Sequence, residues 1–224
     1  FQPEPTLMTP PLAMPEAPSK RRTPPPEPAP SGLSFAPTFA TPGVSPFDEV
    51  EWDHRTASIT DDGGKTIFKQ ENVEVPAEWS ELATKIAVSK YFYGDISHGT
   101  DPKKGGRESS MRQLIHRVTR TITDWGIADG YFATTQDAEN FYNDLTWLCL
   151  HQHGAFNSPV WFNVGLYQQY GIGNGKGQGN YFYDRQQGCA RRSTTQYEHP
   201  QSSACFIQGV KDTMEDIMRL ATSE

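Results

Sequence analysis

One thiol stands out near the C-terminal end of the sequence. Residues 201–207 read Gln-Ser-Ser-Ala-Cys-Phe-Ile, so small polar residues precede Cys205 and two bulky apolar residues follow it. This pattern predicts a short buried strand that carries Cys205, with a loop at its entrance. A lone cysteine on an apolar strand is usually structural, but the small residues before it leave room for a ligand. Both roles stay open at this point.

A helix is predicted directly after this segment. Asp212 and Thr213 open a helical pattern that runs to Glu224, and Glu215 lies three residues after Asp212. This spacing predicts Asp212 as the N-cap in an arrangement close to a capping box. A capped helix N-terminus can also hold an anion or a sugar hydroxyl. Because the sequence begins without methionine and stops within this pattern, we expect a piece of a longer protein.

A metal cluster at Cys149, His151 and His153 is not predicted. Side chains two residues apart on a helix point in different directions, so these three cannot converge on one ion. A buried cysteine beside ordinary histidines is the better interpretation.

Two further motifs are weak. Glycines alternate from Gly171 to Gly179, but a phosphate-binding loop needs a strand before it and a helix after it. A flexible loop is therefore favoured. Arg191 and Arg192 could lower the pKa of the Cys189 thiol, although a lone loop cysteine is little support for chemistry.

Composition limits the class of protein. Most of the 18 prolines lie within residues 1–46, which we predict to be a disordered leader. The net charge of −7, without a long basic run, argues against a nucleic-acid binder. Three cysteines do not make a disulfide framework and favour a reducing cytoplasm. No apolar run approaches the roughly 20 residues that cross a membrane.

Hydrophobic spacing predicts a hairpin and a first helix after the leader. Residues 57–60 and 66–68 flank Asp-Asp-Gly-Gly at 61–64, which is typical of a β-hairpin. The first helix is predicted to have Pro76 in its first turn. Its apolar residues follow at helical intervals: Trp79, Leu82, Ala83, Ile86 and Ala87.

Two longer helices and a loop follow. The second helix has the clearest periodicity, from Met111 to Trp125, with Gly126 as its predicted stop. The third helix is predicted over about residues 136–153, and residues 171–200 as a long surface loop. The opposite face of the second helix is basic, which predicts a solvated or paired surface; it carries Arg112, His116, Arg117 and Arg120.

Several stretches together resemble the adenosylcobalamin-dependent (class II) ribonucleotide reductases in their N-terminal third. The resemblance covers roughly residues 47–224 and leaves out the leader. It is carried by residues 73–76 (Val-Glu-Val-Pro) with 79–80 (Trp-Ser), 89–92 (Ser-Lys-Tyr-Phe), 112–115 (Arg-Gln-Leu-Ile), 156–163 (Phe-Asn-Ser-Pro-Val-Trp-Phe-Asn), 199–201 running into 204–207, and 212–220.

The resemblance implies an α/β fold in which an N-terminal α-helical domain (residues 47–154) precedes the first elements of a ten-stranded α/β barrel (155–224). Cys205 matches the first active-site cysteine of the family, which gives reducing equivalents to the ribose C2′ and ends in a disulfide with a later cysteine. The other implied site residues bind nucleotides. Asn157, Ser158, Ser203 and Ala204 would line the substrate site, and Asp212 with Thr213 would hold the deoxyribose hydroxyl of an allosteric effector.

The function implied is that of a ribonucleoside-diphosphate reductase that uses a cobalamin-initiated thiyl radical. The implied cofactor is adenosylcobalamin, bound mostly outside this chain, and this piece is expected to be inactive by itself. Implied partners are a ribonucleotide substrate, a deoxyribonucleotide effector, a thiol reductant such as thioredoxin and a second copy in a homodimer. The alternatives are a non-catalytic nucleotide-binding or complementing fragment of a split reductase, and a proline-rich adaptor.

Overall fold

The computed structural model describes residues 32–173, 180–204 and 208–223. Within these ranges the chain forms two small antiparallel sheets and six helices. The fold is thus mixed helix and sheet, as predicted, while the barrel strands remain a prediction. Cys205, Phe206 and Ile207, the predicted strand, lie outside the described residues. None of the described helices is long and apolar enough to cross a membrane.

The predicted hairpin is confirmed and is longer than expected. Strand β1 (Trp52–Thr60) pairs antiparallel with β2 (Thr66–Pro76). The side chain of Asp61 accepts a hydrogen bond from the Lys65 amide at 2.8 Å, which closes the turn. Pro76 is the last residue of β2 and not part of a helix, so that prediction is wrong.

Helix α1 (Glu81–Lys90) begins later than predicted and buries a different face. Ser80 is its N-cap and accepts from the Ala83 amide at 3.1 Å. Leu82 and Ile86 belong to the predicted apolar face but are 68% and 46% exposed. Ala87 of that face is buried, together with Thr84 and Val88, and the helix packs against the hairpin.

Helix α2 (Met111–Ala128) is the central element of the core. Ser110 and Gln113 form a capping box at its start. The helix continues through Gly126, so the prediction of a stop there is wrong. A β-carbon at this position would lie 2.6 Å from the ring of Phe132. Glycine at this position therefore permits close packing and does not end the helix.

Helix α3 (Thr135–Leu150) packs against α2 with Thr134 as its N-cap. It lies close to the predicted bounds. The N-terminal segment (residues 32–46) was placed in the leader, yet it packs against this helix. The Asp144 side chain accepts from the amides of Thr38, Phe39 and Ala40 at 2.9 to 3.0 Å.

Asp137 fixes the same segment about two turns earlier on the helix. Its carboxylate accepts from Ser34 Oγ at 3.0 Å and from the Phe35 amide at 2.7 Å. Hydrogen bonds from the Thr134 hydroxyl and the Phe35 amide hold the pKa of Asp137 below its usual value. Residues 32–46, which the sequence places in a disordered leader, therefore pack against α3 in the structure.

The C-terminal part contains three short helices and a second hairpin. Helices α4 (Ser158–Asn163) and α5 (Leu166–Tyr170) are joined at Gly165, which has a φ of +84°. Strands β3 (Tyr181–Asp184) and β4 (Cys189–Arg192) pair antiparallel, so the region predicted as a loop over residues 171–200 contains a hairpin. Helix α6 (Met214–Ser223) ends the described chain.

Candidate functional site

The turn at Asn157 and Ser158 forms the N-terminal end of α4. The side chain of Asn157 accepts from the Val160 amide at 3.3 Å, and Pro159 occupies the first turn, where a proline is favourable. Asn157 therefore begins the helix and fixes the position of Ser158.

Tyr91 contacts the candidate site residue Ser158, a contact that the sequence interpretation missed. Its hydroxyl lies 3.1 Å from Ser158 Oγ, and its ring packs near Trp161 and Phe162 at centroid distances of 6.5 and 5.3 Å. The signal was available in the Ser-Lys-Tyr-Phe stretch at 89–92. Helical spacing, however, assigns this tyrosine to the apolar end of α1 and does not reveal its hydroxyl contact.

The C-terminal end of α4 and the following α5 hold the segment that leads toward Cys205. Asn163 Nδ2 donates to the Gln201 carbonyl at 3.1 Å, and Gln168 Nε2 donates to the Glu198 carbonyl at 3.0 Å. Ser203 and Ala204 follow directly and are exposed. Six helical residues span only about 9 Å, so Ser158 and this segment lie at the two ends of one short element.

A fully buried ion pair lies behind α4. Glu108 and Arg117 are both 0% exposed, and Arg117 Nε donates to Glu108 Oε1 at 2.9 Å. Arg117 also donates to the carbonyls of Trp161 (3.0 Å) and Val164 (2.6 Å) in the last turn of α4. Arg117, one residue of the predicted basic face of α2, is thus paired and completely buried.

Glu108 is hydrogen-bonded on all sides. Beside Arg117, its carboxylate accepts from the Tyr170 hydroxyl at 2.7 Å and from the Tyr93 amide at 2.8 Å. Burial and the adjacent negative charge of Glu108 raise the pKa of Tyr170. The tyrosine therefore keeps its proton and acts as a donor. We call Glu108, Arg117 and Tyr170 the ion-pair cluster.

Asp212 and Thr213, the predicted effector residues, lie at the start of α6, and the helix cap lies one residue later than predicted. The hydroxyl of Thr213 accepts from the Asp216 amide at 3.3 Å, so Thr213 caps the helix. The prediction that Asp212 is the N-cap is wrong. Asp212 is exposed, and its carboxylate has no hydrogen-bond partner among the described residues.

The residues of the excluded metal cluster have structural roles. Cys149 is buried, which raises its pKa to about 12. The rings of His151 and His153 pack beside Trp147, at 4.1 and 5.4 Å between centroids. Across the described ranges, no three His, Cys, Asp or Glu side chains are arranged to hold a metal ion.

These features define a segment of mixed helix and sheet, in which α4 joins the turn at Ser158 to residues 198–204. Sequence comparison gives the family of this segment. Residues 53–152 match the family described as class II vitamin B12-dependent ribonucleotide reductase. The chain belongs to this family and corresponds to the N-terminal region of its members.

Curated relatives agree with this assignment. The chain is 57% identical to the vitamin B12-dependent ribonucleotide reductase of Rhodopirellula baltica over 195 residues. This alignment covers 87% of the chain and 18% of the relative. The proteins of the same name from Bradyrhizobium diazoefficiens and Streptomyces avermitilis are 35% and 39% identical, over 78% and 84% of this chain and 16% of each relative. The chain therefore spans less than a fifth of these relatives.

Two cavities among the described residues are too small for the cobalamin cofactor. An apolar cavity of about 210 Å³ is lined by Trp79, Tyr91 and Trp161, and a cavity of about 470 Å³ lies beside Lys69 and Arg107. Pockets for drug-sized ligands measure roughly 300–1,000 Å³, and a corrinoid with its adenosyl ligand is larger than such ligands. Neither cavity fits adenosylcobalamin.

Proposed function

We propose that this chain is the N-terminal segment of a cobalamin-dependent ribonucleotide reductase that acts on ribonucleoside diphosphates. The observation that carries the proposal is helix α4, which connects the turn at Ser158 with the segment that leads into Cys205. The names of the relatives supply the reaction class.

Cys205 is proposed as one of the two reducing thiols. The 2′-hydroxyl of the ribose leaves as water, and the two electrons come from Cys205 and a second cysteine outside this chain, which end as a disulfide. Adenosylcobalamin, if bound by residues outside this chain, would supply radical chemistry. No other residue of this chain is assigned an electron-transfer role.

The substrate is proposed to bind between α4 and the segment before Cys205. The Ser158 hydroxyl would contact the nucleotide, and Tyr91 would orient that hydroxyl through its 3.1 Å contact. Asn157 would act mainly through the cap, since its side-chain oxygen is already used there. Ser203 and Ala204 are exposed and small, which leaves room for a sugar beside the thiol.

The effector site is proposed at the start of α6. Because Thr213 caps the helix, the exposed carboxylate of Asp212 is available to accept a hydrogen bond from a deoxyribose hydroxyl. A ten-stranded barrel that begins in residues 155–224, a thiol reductant such as thioredoxin, a homodimer and a cytoplasmic location belong to the same proposal.

The test uses the protein encoded by the complete reading frame that contains this sequence. With adenosylcobalamin and a dithiol reductant, it is expected to form deoxyribonucleotides, and Ser158→Ala is expected to lower kcat/KM by about tenfold through the lost hydroxyl contact. Ser89→Ala is the matched control, because that hydroxyl bonds within α1 to the Ile86 carbonyl. If the unaltered protein binds nucleotides but forms no deoxyribonucleotide, the reductase proposal fails and a nucleotide-binding fragment takes its place.

A further inference from the structure

We propose that the ion-pair cluster is a positioning device that holds both walls of the nucleotide site in register; this inference rests on the proposed function. One wall is the turn at Ser158, carried by α4. The other is the segment from Glu198 to Ala204, which α4 and α5 hold. The cluster touches neither the nucleotide nor Cys205 in this proposal and acts through the elements that it fixes.

Arg117 fixes the first wall. Helix α4 has six residues, and a helix of that length is not stable by itself. The carbonyls at its C-terminal end lack partners within the helix, and Arg117 donates to that of Trp161 and to that of the C-cap residue Val164. The next residue, Gly165, leaves no space for a shift, since a β-carbon there would lie 2.3 Å from the Arg117 carbonyl.

Glu108 and Tyr170 fix the second wall. Tyr170 is the last residue of α5 and donates to Glu108, while Gln168 of the same helix holds the Glu198 carbonyl. The other carboxylate oxygen of Glu108 accepts from the Tyr93 amide. The Tyr93 ring in turn packs edge-on against Tyr197 at 6.3 Å, just before the segment.

The two walls therefore share one buried carboxylate. Because Glu108 and Arg117 are completely buried, a movement of α4 or α5 would break hydrogen bonds to a charged group in a region that water does not reach. The planar fork of the guanidinium binds carboxylate and carbonyls at fixed angles. A change in the cluster is expected to loosen both walls together.

The experiment compares Tyr170→Phe with Tyr142→Phe in the 224-residue chain. Each variant removes one tyrosine hydroxyl, but that of Tyr142 bonds to His116 and Thr146 on the α2–α3 side, away from α4. For Tyr170→Phe we expect amide hydrogen exchange to become about tenfold faster in α4 and in residues 198–204, the size expected when a hydrogen bond to a charged group is lost. Exchange in α2 and α3 should stay unchanged.

In the complete reductase, the same variant is expected to raise the KM for the ribonucleotide by about tenfold with a smaller change in kcat. Uniformly faster exchange along the whole chain, or unchanged exchange in α4, would overturn the inference. So would faster exchange in α4 with an unchanged KM. If the unaltered complete protein forms no deoxyribonucleotide, the proposed function fails, whereas the exchange comparison still decides whether the cluster fixes both segments.

Discussion

Replacement of Arg117 by methionine is expected to destabilise the fold far more than replacement of another arginine on the same helix. Methionine keeps much of the side-chain volume but removes the positive charge. The carboxylate of Glu108, 0% exposed, would then be buried without its partner. Breaking a buried ion pair in this way costs about 3–5 kcal/mol of the free energy of unfolding.

Two variants separate this cause from simple loss of contacts. Arg120 lies three residues further along α2, is 20% exposed and pairs with Asp124 and Glu139. Because such partly solvated pairs contribute little, Arg120→Met should cost at most about 1 kcal/mol. The double variant Glu108→Gln, Arg117→Met leaves no buried charge and should recover part of the loss.

The measurement is urea unfolding followed by tryptophan fluorescence. With a denaturant slope of about 2 kcal/mol per molar, Arg117→Met should lower the unfolding midpoint by about 2 M. Arg120→Met should lower it by less than about 0.5 M. Equal midpoints for the two single variants, or a double variant as unstable as Arg117→Met, would refute the reasoning.

Three further predictions concern other parts of the chain. Hydrogen bonds lower the pKa of Asp137 in the folded state. Its contribution to folding stability is therefore complete above the ordinary pKa of about 3.9 and is lost as the pH falls through the folded pKa. The protection of the N-terminal segment against amide exchange, taken relative to the intrinsic exchange rate at each pH, should therefore fall there, and unchanged protection in that range would contradict this. At pH 8, iodoacetamide should label exposed Cys189 and leave buried Cys149 unlabelled until the chain is denatured; equal labelling of both by mass spectrometry would be contrary. Thr213→Ala should reduce the helicity of α6, measured by NMR chemical shifts, because it removes a cap worth about 1 kcal/mol. Asp212→Ala should leave the helix unchanged and weaken deoxyribonucleotide binding, measured by calorimetry. The reverse pattern would refute the assignment.

The parts of the fold that could be predicted are those set by local sequence. The run Asp-Asp-Gly-Gly at 61–64 determines the first hairpin, and the three- and four-residue spacing from Met111 determines α2. The face of α1 could not be predicted, because Leu82 and Ile86 match the apolar pattern as well as the buried residues do. Tertiary packing selects the face.

The candidate site depends mostly on contacts between distant residues. The sequence pattern does not distinguish Arg117 from other basic residues on a helix face. It also does not indicate that Glu108, in the preceding loop, is the buried partner of Arg117. The contact of Tyr91 with Ser158 joins residues 67 positions apart. Asp212 and Thr213 are both good caps, so the pattern locates the start of α6 only to within one residue.

The second hairpin shows a different limit. Strands β3 and β4 have four residues each and follow a glycine-rich stretch, so their signal is short and their surroundings indicate a loop. The structure shows that the two strands pair. It also shows that Phe182 stacks on His199, with 3.6 Å between the ring centroids. This contact ties the hairpin to the segment before Cys205.

The most direct measurement of the central proposal is the activity of Cys205→Ser in the protein encoded by the complete reading frame, with Cys189→Ser as the control. Deoxyribonucleotide formation would be followed with adenosylcobalamin and a dithiol reductant. We expect Cys205→Ser to abolish turnover and Cys189→Ser to leave it unchanged. Continued turnover by Cys205→Ser would contradict the assignment of this thiol as a reducing residue.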